Sequence, residues 1–271
     1  MKAKILIEGG TPKVPPDELS RVIQGAGIEI SEYKADIGIV VGGDGRFSRY
    51  GRTESIPLLF VGVRSRDPTG SRAHLAQTTF DELPAALRMI RTGDYLVDEH
   101  IRLAVLKNAK PLGEVFTDVY VQRGAESTCI RYKVRITGEG VGIDEAAVGD
   151  GVVVSTRAGS TGYYSYPDRI KGKWMDPTAF TRIGRDEVGI CHVAPTYTER
   201  SGLNQHPLRY SVPRGSIIKI SLFREADARL YGTTDSRAGV KVVPEDEITI
   251  RNGSQSTKVI VLKKAGKEAL A

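Results

Sequence analysis

Cysteine is scarce: the 271-residue chain has only Cys129 and Cys191. Two scattered cysteines cannot staple a small secreted scaffold, and they read as reduced thiols in a cytoplasmic protein. Histidine is thin as well. His74, His100, His192 and His206 show no ligand spacing with either cysteine, and Cys191 and His192 would face opposite ways on a strand, so no zinc site is expected. Long hydrophobic runs are missing. A membrane helix needs about 18 apolar residues, and the best stretch, Ile37-Gly38-Ile39-Val40-Val41, is strand-sized. Met1 to Glu8 starts basic, but its apolar run stops at the glutamate, which suits a first strand rather than a signal peptide. Neither charge dominates: 39 basic against 33 acidic residues leave +6. That excess gives little ground for nucleic-acid binding, and it suits a protein that handles anionic small molecules. The single tryptophan, Trp174, reads as loop packing or an interface anchor.

Glycine and proline, at 30 and 13, are plentiful and point to many tight turns and substantial β content. Residues 1–97 alternate strand and helix signals. Lys4–Ile7 reads as a strand, and a helix begins at Pro16-Asp17-Glu18-Leu19 and ends at Gly25 and Gly27. Ala35–Val41 and Pro57–Val63 read as buried strands, and Thr79–Ile90 as a helix with Leu83, Ala86, Leu87 and Ile90 on one face. Strands separated by helices imply an open parallel sheet with covered faces. Residues 98–262 instead show closely spaced strands: Ile101–Leu106, Glu114–Gln122, Arg131–Ile136, Gly151–Ser155, Ile190–Val193, Ser216–Leu222, Ala228–Tyr231, Glu247–Ile250 and Lys258–Leu262. This half reads as an all-β, sandwich-like domain, with Asn252-Gly253-Ser254 as a hairpin turn and 263–271 as a frayed tail. A ligand site is expected in the cleft between the two halves.

The sharpest local feature is Gly42-Gly43-Asp44-Gly45, directly after the strand that ends at Val41. Ligands of open parallel sheets bind at the carboxyl ends of strands, and glycines there let backbone N–H groups approach a phosphate. The spacing on to Gly51 is not that of a dinucleotide fingerprint. A carboxylate beside phosphate is repelled unless it has work to do, and two roles fit Asp44: accepting a proton from an attacking hydroxyl, or binding Mg²⁺. A plain Asp-Gly turn is the bland alternative. Six arginines follow between Arg46 and Arg72 against two acids, Glu54 and Asp67. Guanidinium forks match phosphate oxygens, so Arg46 and Arg49, nearest the loop, are donor-site candidates, although a solvated basic face is the alternative. Arg64, Arg66 and Arg72 surround the turn Arg66–Gly70 and either close over a donor or form loop surface.

A second constellation, Gly149-Asp150-Gly151 through Ser155-Thr156-Arg157-Ala158-Gly159-Ser160-Thr161-Gly162-Tyr163, runs a buried strand into a turn of hydroxyls, glycines and aromatics. Such a turn can hold a sugar or phosphate and offer a ring to a heterocycle. It is not a nucleophile elbow, because the G-x-S-x-G spacing fails. A capped helix with core tyrosines is the structural alternative.

Together the two segments resemble the NAD kinases, which carry a G-G-D-G loop in an α/β domain and a D-G…S-T-x-x-G-S-T-A-Y segment in a β domain. Ile56–Val63 is similar to the family's I-P-x-x-G-V/I strand, His100–Leu103 to its E-x-R-x-x-L strand, and Leu208–Pro213 to its R-P-x-V-x-P stretch. The resemblance spans most of residues 36–250. The loop alone is shared with diacylglycerol kinases, sphingosine kinases and phosphofructokinases, whereas the 150–163 segment is far more specific. The resemblance implies a Mg²⁺-dependent transfer of the terminal phosphoryl group of ATP or polyphosphate to the 2′-hydroxyl of the adenosine ribose of NAD. On that basis Asp44 is the base, and Gly42, Gly43 and Gly45 cradle phosphates. Asp150 contacts the nicotinamide end, Thr161 and Tyr163 line the adenine pocket, and Ser160 stands beside them. It further implies a cytoplasmic homodimer or homotetramer in which a neighbouring subunit completes the pocket.

The chain departs from the pattern in several places. Thr117-Asp118 stands where the family has Asn-Glu in the dinucleotide site. Arg46 replaces a threonine after the glycine loop, Arg64 an asparagine, and Gly162 the alanine of S-T-A-Y. These changes leave room for a kinase of the same fold with a nucleoside, sugar or lipid acceptor. A non-catalytic nucleotide-binding protein is the other rival, and retention of Asp44 argues against it.

Overall fold

The computed structural model describes residues 1–7, 14–63, 71–126, 128–138, 140–172, 177–200, 208–234 and 238–263. Arg64, Arg66 and the turn to Gly70, Trp174, His206 and the tail from residue 264 lie outside them. The chain divides into two compact units, Met1–His100 with Ser256–Ala271, and Ile101–Gln255. The sequence pattern kept 98–262 together. The structure returns the last stretch to the first unit, because Val259 pairs in parallel with Leu58.

The first unit runs β1 (Lys2–Leu6), α1 (Pro16–Gly25), β2 (Glu29–Ile30), β3 (Ile37–Gly42), α2 (Asp44–Thr53), β4 (Leu58–Gly62), β5 (Thr78–Thr79) and α3 (Leu83–Thr92). Its strands are parallel, in the order β2-β1-β3-β4, with β5 also on β4. Both central strands, β3 and β4, are buried along their whole length, as apolar runs covered on two faces must be. Leu19 and Ile23 of α1 and Leu83, Ala86, Leu87 and Ile90 of α3 supply the cover, and Gly93 ends α3 in the left-handed conformation. The expected strand–helix alternation is therefore present. Helix α2 is an addition: its glycines give it little intrinsic helicity, but buried Phe47 stacks on Phe60 of β4 at 4.6 Å and fixes it by packing.

From the end of the first unit the chain continues through β6 (Tyr95–Lys107), β7 (Lys110–Val115), β8 (Asp118–Arg123), β9 (Ile130–Gly138), β10 (Val141–Gly149), β11 (Gly151–Ser155), α4 (Tyr166–Ile170), β12 (Glu187–Val193), β13 (Tyr197–Arg200), β14 (Arg209–Pro213), β15 (Ile217–Leu222), β16 (Ala228–Tyr231), β17 (Val240–Val242) and β18 (Ile248–Leu262). Within the second unit one antiparallel set is β13-β10-β9-β15 with the start of β18, and another is β14-β12-β11-β8-β16-β17. Side chains of both sets, such as Tyr132, Val134 and Ile220 on one and Val121, Val152 and Ile190 on the other, form a single core. This is the all-β, sandwich-like half.

Three details correct the sequence reading. Glu114–Gln122 is two strands broken at Phe116-Thr117. Val141–Gly149 is a full strand despite its glycines and acids. Asn252-Gly253-Ser254 is no hairpin turn but the middle of β18. Gly253 is required there by close packing, since a Cβ would sit 2.8 Å from the Arg102 carbonyl, and Glu114 accepts the Ser254 N–H at 2.7 Å. As expected, Cys191 and His192 face opposite ways. Cys191 packs with Val153 and Tyr164, while fully buried His192 meets the Tyr132 hydroxyl at 2.8 Å and Glu145 at 3.2 Å.

Candidate active site

The first unit carries the glycine turn. β3 ends at Gly42, whose carbonyl accepts the Val63 N–H at 2.9 Å, and α2 begins at Asp44. Gly43 is dictated by its neighbour, because a Cβ would stand 2.4 Å from both Cβ and Oγ of Ser71. That closeness lets the Ser71 hydroxyl accept the Asp44 N–H at 3.1 Å and donate to Asp44 Oδ2 at 3.3 Å. The Leu75 N–H donates to Oδ1 at 2.9 Å. Among the described residues each carboxylate oxygen accepts one hydrogen bond, so Asp44 is fixed in direction and keeps the capacity to accept a proton. Gly45 differs from Gly43: among the described residues, nothing beyond its chain neighbours and its own helix backbone lies within 4 Å of where its Cβ would be. Packing does not demand a glycine there. Arg49, four residues along, shares the exposed side of α2 with Gly45, and Arg46 is partly buried beside Gly42.

The second unit carries the hydroxyl-rich turn. Asp118 at the start of β8 pairs with Ser155 at the end of β11, which brings 117–118 to 155–163. Most of the hydroxyls there build the turn. Ser155 donates to the Thr117 carbonyl at 3.4 Å, and Thr156 to the Phe116 carbonyl at 2.7 Å. Ser160, a sequence candidate for ligand contact, is fully buried. Its hydroxyl donates to the Arg157 carbonyl at 2.7 Å and accepts the Ile183 N–H at 3.0 Å, so its part is scaffolding. Thr161 is buried, and its carbonyl accepts Arg169 at 2.8 Å. Residues 157–161 form a 3₁₀ turn rather than a capped α-helix.

Asp118 is the unusual acid. Burial pushes its carboxyl up to about 6, although the Thr117 hydroxyl at 3.1 Å and the Tyr163 N–H both donate to it and hold it lower than burial alone would. Two departures from the family pattern meet here: a Cβ at position 162 would sit 3.2 Å from Asp118 Oδ2. Asp150 lies apart. It pairs with Arg123 at 2.8 Å at the opposite end of β11, about 17 Å along the strand at ~3.4 Å per residue. Sequence reasoning overlooked Ser71, a long-range partner with no local signal. It also overlooked Tyr120, Gln122 and Tyr231, although alternation with Val119 and Val121 put Tyr120 and Gln122 on the face of Asp118.

Comparison with known proteins agrees with this layout. An NAD kinase of Thermococcus kodakarensis is 28% identical over 239 residues, covering 86% of this chain and 76% of its own. One of Carboxydothermus hydrogenoformans is 28% identical over 250 residues, covering 89% and 80%. Over most of its length the chain is thus similar to NAD kinases. Two solved structures share the fold. An NAD kinase from Archaeoglobus fulgidus in complex with ATP superposes with a TM-score of 0.66 at 18% identity, over 98% of this chain and 94% of that one. Yeast NADH kinase complexed with NADH gives 0.72 at 14% identity, over 98% and 84%. No protein-family model matches the chain.

Proposed function

We propose that this protein is an NAD kinase: it transfers the terminal phosphoryl group of ATP, or of polyphosphate, to the 2′-hydroxyl of the adenosine ribose of NAD, giving NADP. The observation that carries the proposal is Asp44, a carboxylate fixed by Ser71 and Leu75 at the carboxyl end of β3 beside the open flank of Gly45. Its free lone pairs take the proton of the ribose hydroxyl as that oxygen attacks phosphorus and the nucleoside diphosphate leaves. Gly42, Gly43 and Gly45 admit the phosphates, and Arg46 and Arg49 offset their charge. On the second unit Asp118, Thr161 and Tyr163 take the dinucleotide, with Thr117 orienting the Asp118 carboxyl.

Among the described residues no group of three or more His, Cys, Asp or Glu gathers to hold a metal. Mg²⁺ would accompany the donor phosphates and offset their charge, with Asp44 the carboxylate at the turn among the described residues. We place the enzyme in the cytoplasm, where Cys129 and Cys191 stay unbridged. We further propose a homodimer or homotetramer in which Asp150, at the opposite end of β11 from Ser155, serves a neighbouring copy's dinucleotide.

The test is incubation with Mg-ATP and NAD and detection of NADP. The Asp44→Asn variant is expected to lose at least ~100-fold in kcat while still binding NAD. Binding without turnover in the parent would leave only a nucleotide-binding protein. ATP consumption with a different alcohol, and none with NAD, would favour another acceptor, a reading that Thr117-Asp118 in place of Asn-Glu keeps open.

A further inference from the structure

Tyr163 is 37% exposed, yet it is held at three points by one strand. Asp118, Tyr120 and Gln122 occupy alternate positions of β8 and so share its outer face, while Val119 and Val121 between them point into the core. Asp118 accepts the Tyr163 backbone N–H. Tyr120 meets the Tyr163 ring edge-on, with centroids 5.3 Å apart and planes at 76°. Gln122 Oε1 accepts the Tyr163 hydroxyl at 3.3 Å. Behind Tyr120, its register partner Tyr231 on β16 stacks at 5.2 Å and 22°. Tyr231 cannot retreat in turn, because Gly239 approaches so near that a Cβ there would stand 2.7 Å from its ring. Burial pushes the Tyr120 phenol up to about 12, so this support stays neutral at any working pH.

We infer that Tyr120 and Gln122 are positioning residues for the acceptor site, locking the exposed Tyr163 ring in one orientation before a planar heterocycle stacks on it. The inference rests on the reading of Tyr163 as a dinucleotide contact. A ring free to turn must be ordered on binding, and fixing it beforehand removes a cost that weakens affinity about three- to tenfold per immobilised side chain. Simple covering of the sheet needs the rings but not the hydroxyl bond to Gln122, and this separates the two explanations.

The experiment is a double-mutant cycle on the full chain with Gln122→Met, Tyr163→Phe and the pair, after circular dichroism confirms folding. It reads the Kd of NAD by calorimetry, then KM and kcat. Each single change should raise Kd and KM for NAD about three- to tenfold, and the pair no further, since both break one bond. Gln122→Met should leave KM for ATP within about twofold and move kcat little, as expected for a group acting only on acceptor binding. Unchanged NAD affinity in Gln122→Met, or single effects that multiply in the pair, overturns the inference. Coupled effects on Kd in a parent without turnover would refute the kinase reading and leave this one standing. A parent that does not bind NAD overturns both.

Discussion

Asp118→Asn is the most informative single change in the second unit. Aspartate at this position titrates near 6 instead of 3.8 because burial disfavours its charge more than the Thr117 hydroxyl and the Tyr163 N–H favour it. An acid whose native pKa is raised holds its proton more tightly folded than unfolded, so it favours folding below its unfolded pKa. That advantage disappears as pH rises through the window from about 4 to 6. At about 1.4 kcal/mol per pKa unit, keeping Asp118 ionised costs less than about 1 kcal/mol at pH 4, about 2 at pH 5 and about 3 at pH 8. Asparagine keeps the shape and one acceptor oxygen but cannot ionise. The unfolding free energy of the variant minus that of the parent should therefore grow by about 2.5 kcal/mol between pH 4 and pH 8, most of it below pH 6.5. Urea or guanidinium titrations at four or five pH values measure that difference with a common offset removed. A difference that stays flat with pH would refute the argument, because the carboxyl would then not be desolvated in the folded chain.

The two glycines of the turn should separate packing from ligand approach. Gly43→Ala collides with Ser71 and should lower the melting temperature and disturb Asp44, whereas Gly45→Ala meets open space and should fold like the parent while losing affinity for ATP. A binding isotherm and a thermal melt on each variant decide it, and normal ATP affinity in Gly45→Ala would remove the phosphate role from that position. Arg209→Met takes the guanidinium at 2.7 Å from the buried Asp168 carboxylate and should cost about 3–5 kcal/mol of stability, measured by denaturant unfolding. A loss under 1 kcal/mol would mean that water replaces the arginine. Asp44→Asn, described above, is read by NADP formation.

Much of the architecture is written locally. β3 and β4 are short apolar runs without a polar side chain, helices α1 and α3 carry apolar residues three and four apart, and the turn between β3 and α2 announces itself by its glycines. What escaped the sequence depends on distant partners. Helix α2 exists because Phe47 finds Phe60, although its own residues favour turns. Strand β10 holds Gly142, Asp144 and Glu145, a composition that reads as loop until β9 and β13 pair with it on both sides. In the site, the motif residues were legible but their division of labour was not. Ser155, Thr156 and Ser160 look like ligand contacts by type, and the structure uses their hydroxyls to bind carbonyls and an N–H of the protein itself. Ser71 lies 27 residues from Asp44, and only the fold brings it there.

The fifteen-residue β18 has a consequence for how the chain is made. Its beginning pairs with β15 and its end with β4, so the parallel sheet of the first unit gains a strand from residues far along the chain. During synthesis the amino-terminal half must wait, with the start of β4 lacking a partner on the side where β5 pairs only its end, until β18 has left the ribosome. A fragment ending at His100 would be an unfinished sheet prone to self-association, and a ribosomal stall before β18 would leave the first unit without that strand.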